Sequence, residues 1–133
     1  MDARFTLVGP KDAERAEKND PTLGELLRAI EALDGKEHTG LLLRPKEPTQ
    51  PYLGIAGGHE GMYVVFIAID GDFAKHVVNS SIPKGADDLR IRCGGQMSDM
   101  DLHFLVSKEE AIKAAEFYFA HGGACPDLDW EET

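Results

Sequence analysis

The sequence predicts an α+β fold: a mostly antiparallel sheet of about six strands with two packed helices, ending in a tryptophan-containing tail. Three observations predict it. Two segments open with Ser/Thr-x-x-Glu and carry apolar residues at helical spacing, which is the signature of a capped amphipathic helix. Between them the apolar period falls to two, with Gly, Pro and Asp clusters marking turns. The chain has 133 residues, of which 42% are apolar. That length and content suit a single domain spanning 1–133 with a packed core.

In chain order, Phe5 to Val8 reads as a short first strand, and Lys11 to Asp20 as a charged loop or frayed helix. Thr22 and Glu25 form the first capping box. Leu23, Leu26, Leu27, Ile30 and Leu33 make the apolar stripe behind it, and Asp34-Gly35 ends the helix. Gly40 to Arg44 and Tyr52 to Ala56 are strands around a proline-rich turn, and Gly57 to Gly61 is a hairpin loop. Met62 to Ile69 is apolar on both alternating faces, so it belongs in the interior of a sheet covered on both sides. Ala74 to Asn79 follows as a strand. Leu89, Ile91 and Cys93 alternate with Arg90 and Arg92 as a half-buried strand, Gly94 to Met100 is a connection, and Leu102, Phe104 and Val106 form the last strand.

The second helix starts at Ser107, with Glu110 completing its capping box. Ala111, Ile112, Ala115, Tyr118 and Phe119 share its apolar face, and Gly122-Gly123 stops it. Pro126-Asp127-Leu128-Asp129-Trp130 closes the chain on its only tryptophan. An indole removes about 150–250 Å² from water when buried. Trp130 is therefore expected to pin the tail onto the sheet or helix.

This ending resembles the immunity protein 1 family of bacterial polymorphic toxin systems. Members end in a strand, a "VSKE"-type helix start, an Ala-Ala-x-x-Phe-like helix and Pro-x-x-Leu-x-Trp with acidic neighbours. The matching positions here are Val106 to Glu109, Ala114, Ala115, Phe119, Pro126, Leu128 and Trp130, with Ser107, Glu110, Phe119 and Trp130 as the structural signature. Upstream, Leu33-Asp34-Gly35 and the glycine-rich hairpin are compatible with the likeness. It implies a cytoplasmic, non-enzymatic inhibitor of a nucleic-acid-attacking toxin, either a DNA cytosine deaminase or a nuclease.

Charge points the same way. Asp and Glu number 24 against 14 Lys and Arg, a net charge of −10. Such a field disfavours direct nucleic-acid binding, which needs clustered cations, and favours encounter with a basic partner. The sequence shows no membrane-length apolar run and its N-terminus lacks a signal-peptide pattern, so a cytosolic chain is expected. His38, His59, His76, His103 and His121 lack zinc-ligand spacing, and Cys93 and Cys125 form no CxxC. No cofactor or metal is called for. Cys93 is expected to face the core as an inert thiol, and Cys125 to lie in a loop where it can be exposed.

If every strand from residue 40 onward joins its neighbour by a hairpin, the turns at 45–51, 70–72 and 95–101 gather at one end of the sheet, where the last helix also delivers the tail. Glu47, Asp70, Asp72, Asp99, Asp101, Asp127 and Asp129 would then form one acidic rim, with Met97, Met100 and Tyr52 supplying apolar contact area. Asp-rich turns at a solvated edge have the same composition. Two other classes stay open: a small enzyme using loop His and Asp residues, and an acidic adaptor module. Convergent His and Asp side chains in a pocket would mark the enzyme. A toxin gene next door separates an immunity protein from an adaptor.

Overall fold

Both capping boxes form as the local sequence dictates. In this computed structural model, which describes residues 5–10, 16–47, 49–69 and 73–132, Thr22 Oγ1 accepts from Glu25 N–H and Glu25 returns a carboxylate to Thr22 N–H (3.1 and 3.0 Å). The helix that follows, α1, spans Leu23–Ala32. Ser107 and Glu110 repeat the arrangement (3.2 Å each way) at the start of α2, Lys108–His121. Gly122, with φ +77°, closes α2 in the left-handed region.

The strands are β1 (Phe5–Val8), β2 (Glu17–Asn19), β3 (Gly40–Pro45), β4 (Tyr52–Gly57), β5 (Tyr63–Ile69), β6 (Phe73–Val77), β7 (Asp88–Cys93), β8 (Gln96–Asp101) and β9 (Trp130–Glu132). Seven of them form one antiparallel sheet in the order β2-β1-β3-β4-β5-β6-β9, and β7-β8 form a separate hairpin. The α+β class is as read from the sequence, with two helices and a tryptophan in a terminal strand.

Period-two patterning decides which side chains meet the helices. Leu7, Leu41, Leu43, Leu53, Ile55, Tyr63, Val65, Ile67 and Val77 project onto one face and pack with Leu26 and Ile30 of α1 and Ala111, Ala115 and Tyr118 of α2. Both helices lie on that face. Alanines on α2 let it approach closely, and Lys108 of α2 pairs with Glu31 of α1 at 2.7 Å. Strand β5 is apolar on both sides because its other face is also covered. Val64 packs there with Ile91 of β7 and with Leu105, flanked by Met62, Leu89 and Met100.

The structure corrects four local expectations. Glu17–Asn19 is an edge strand, not helix or loop. Residues 96–101 are not a connection; they pair along the whole of β7, from Asp88↔Asp101 to Cys93↔Gln96. The two-residue turn between them, Gly94-Gly95 with φ +59° and +85°, is of the kind that twists in register with a hairpin and needs positive φ twice. Residues 102–106 are not a strand. Asp101 Oδ1 accepts from His103 N–H at 3.0 Å and caps a 3-10 turn over Leu102–Phe104, leaving only a bridge between Val106 and Tyr63. Finally, Cys125 is buried, not exposed.

The hairpin is held to the sheet at its tip. Thr39, fully buried, accepts from Gly94 N–H and Gly57 N–H through its carbonyl (3.0 and 2.9 Å), and its Oγ1 accepts from Gly95 N–H at 2.7 Å. Beneath the tip lies an apolar recess of about 310 Å³, lined by Val8, Leu42, Ala56, Phe66 and Cys93 among others.

Candidate partner-binding surface

Of the ten residues read as an acidic and apolar rim, those that the structure describes are dispersed by the real topology. Asp70 and Asp72 lie outside the described residues. Glu47 is exposed in the β3–β4 turn, near the C-terminal end of α2. Asp99 and Asp101 sit on β8, away from that turn. Asp129 stands at the opposite end of the sheet, because β9 runs antiparallel to β6 and its Trp130 faces Val77 where β6 ends. The assumption of successive hairpins fails at β7, which leaves the sheet and gives its place beside β6 to β9.

Several acids have internal work. Asp101 caps the 3-10 turn and also accepts from Gly85 N–H at 2.8 Å, and these backbone donors hold its carboxyl below the usual range. Asp34 accepts from the N–H groups of Lys36, Glu37 and His38. Led by the Lys36 bond, they bring its carboxyl down to about 2. Glu25 is lowered by its Thr22 N–H donor and by Lys18, 3.1 Å away. Asp99 faces Arg90 across the hairpin at 3.6 Å, and Asp129 accepts from Ser80 Oγ at 2.9 Å. Met100 is half-buried in the small cluster. Met97 is 46% exposed, on the outer face of the hairpin opposite Arg92.

The signature residues are structural. Ser107 and Glu110 cap α2. Phe119 stacks on Phe5 at 5.6 Å between ring centres, as does Tyr118 at 5.5 Å. Trp130 is half-buried against the main core and donates its indole N–H to the Cys125 carbonyl at 2.8 Å. That bond closes the tail on itself, and Val78 N–H donates to Asp129 O at 2.9 Å to tie it to β6.

What the fold does collect is a different row of acids. Residues 109, 113 and 116 are spaced i, i+4 and i+7, so they share one stripe of α2 opposite its buried alanines. The returning tail runs beside that stripe, with Asp127 Oδ2 3.9 Å from Lys113 Nζ. Glu109, Glu116 and Asp127 are all exposed there, with Lys113 between them, whereas the exposed Asp129 turns its carboxylate to Ser80 beyond β6. Of this row, sequence reading singled out Asp127 but missed Glu109 and Glu116. The signal was present as the polar half of the same helical period that revealed the apolar stripe.

Burial raises the Cys93 thiol, which disfavours the reactive thiolate. Among the described residues no group of three or more His, Cys, Asp or Glu side chains is placed to hold a metal ion. Among them, too, no helix is long and apolar enough to cross a membrane. No protein-family model matches the chain, and no curated protein matches it.

Proposed function

We propose that this protein is an immunity protein that binds and inhibits a cognate toxin domain acting on nucleic acid, a DNA cytosine deaminase or a nuclease, in the cytoplasm of the producing cell. The observation that carries the reading is the exposed row Glu109, Glu116 and Asp127 along α2 and its tail, on a chain of net charge −10. The likeness of the C-terminal sequence supplies the class. A toxin that handles nucleic acid needs a cationic groove for phosphates. An acidic ridge lying in that groove competes with the substrate and neutralises the toxin by occupancy. Charge of this sign also speeds association with a basic partner.

The test is co-expression with the toxin domain encoded beside the gene. Rescue of growth and co-purification of a complex are expected; absence of binding to that domain sinks the proposal. Glu109→Lys combined with Glu116→Lys should slow association and flatten its salt dependence, leaving the fold intact. Unchanged association would move the contact surface elsewhere.

A further inference from the structure

The C-terminal strand is fastened at one point by an unusual contact. His103 is buried in the 3-10 turn after β8. Its Nδ1 lies 2.6 Å from the carbonyl oxygen of Ile82, and its Nε2 meets the carboxylate Oε2 of Glu131 on β9. Both neighbours are acceptors. A neutral imidazole has one N–H and one lone pair, so it can satisfy only one of them and must turn a lone pair toward the other oxygen. Only the imidazolium donates to both.

We propose that His103 is a protonation latch: as the imidazolium it ties the Ile82 loop, the 3-10 turn and β9 together, and loss of its proton releases the C-terminal strand from the edge of β6. The groups facing it come from every packed element. Glu131 approaches from β9, and Asp101 from the end of β8. Lys84 in the loop after β6 lies over the Phe104 ring at 5.5 Å. His76 on β6 is in register with Glu131 and its ring is 5.6 Å from that of Phe104. Asp129 at the head of the tail is tied to Ser80. The neighbouring acceptors favour the cation, the Glu131 carboxylate most and the Ile82 carbonyl next, and they raise the His103 pKa above its ordinary value.

The sign follows from linkage. A raised folded-state pKa makes the latch fully effective below the free-imidazole value of about 6.5. Its contribution is lost as pH rises through the folded-state pKa. The released element is short, three residues of β9; besides the His103 contact it is held by the β6 pairing, Val78 N–H to Asp129 O, Ser80 Oγ to Asp129 and the packing of Trp130, while Asn79 N–H to His103 O at 2.8 Å ties the 3-10 turn to the end of β6.

Amide hydrogen exchange and ring NMR on the full chain, between about pH 6 and 9, test this without any partner. His103 should carry both ring protons at the acid end of the range. The Val78 and Asn79 amides should then lose protection as the ring titrates, by up to about tenfold per pH unit after correction for intrinsic rates. Glu131→Gln should move the ring titration and the loss of protection to lower pH together. Flat protection in the unmodified chain, a ring already neutral at the acid end, or a titration that moves in Glu131→Gln while the amides stay unchanged would each overturn the latch. The unmodified chain decides the matter even if the variant folds poorly.

Discussion

The phenol of Tyr118 on α2 donates to the backbone carbonyl of Pro51, at the end of the turn between β3 and β4. One hydrogen bond thereby joins the last helix to a loop 67 residues away in sequence. The ring itself is buried on Phe5. Tyr118→Phe keeps the packing and strands the carbonyl. A loss of about 1–2 kcal/mol is expected, read as a fall in melting temperature of roughly 3–8 °C. An unchanged melt would mean that water replaces the phenol at no cost.

The same phenol sets an alkaline limit. Desolvation pushes the Tyr118 pKa up to about 12. The folded state therefore prefers the protonated ring, and that preference is fully present below the free tyrosine value of about 10 and lost between there and 12. Ultraviolet titration should show a tyrosinate step that comes late and vanishes in Tyr118→Phe. Chemical-denaturation stability should decline with pH through that window, less so in the variant.

Gly54 sits opposite Phe66 on neighbouring strands, and the ring lies across it. A Cβ at residue 54 would stand 2.2 Å from the ring's Cζ. Gly54→Ala must displace a ring that also contacts Tyr52 and His76. We expect a cost of about 1–3 kcal/mol. In a Phe66→Ala background the same substitution should cost distinctly less, a non-additivity that equilibrium unfolding of the four chains will measure.

Trp130 fastens the tail by area and by one hydrogen bond. Trp130→Phe loses the indole donor and leaves the Cys125 carbonyl without it, for about 1 kcal/mol. Trp130→Ala also opens a gap beside the core, for about 2–3 kcal/mol. If the two variants were equally stable, the ring would be contributing no packing.

Ser107→Ala removes the acceptor for Glu110 N–H at the start of α2. A loss of about 1 kcal/mol is expected. Ser107→Asp should restore most of it, because a carboxylate caps the same N–H and suits the helix dipole. Circular dichroism melts of the three chains check the order.

The parts of this fold that are legible in the sequence are those decided within one turn of chain. Capping boxes at Thr22 and Ser107, the stop at Gly122, and the two-sided apolarity of β5 depend on residues a few positions apart. The elements that were misread depend on partners far away. Glu17–Asn19 is a strand because Thr6, Leu7 and Val8 offer it an edge, and nothing in its own charged sequence says so. Gln96–Asp101 carries little apolar patterning and is a strand because Gly94-Gly95 folds it back on β7. The candidate surface suffered from the same blindness. Its residues were placed by assuming that each strand pairs with the next, and a single departure, at β7, relocated Asp99, Asp101 and Asp129 together.

By itself, then, the sequence determined where the helices begin and end, which face of each is apolar, and that the surface is acidic, because these follow from local hydrogen bonds, side-chain period and charge count. Only the tertiary structure decided that β9 takes the edge beside β6, that β7 and β8 form a separate hairpin, and that Asp127 joins Glu109 and Glu116 on one ridge. Those outcomes rest on pairings between segments tens of residues apart, where the choice among competing edges is made by the burial of the whole core.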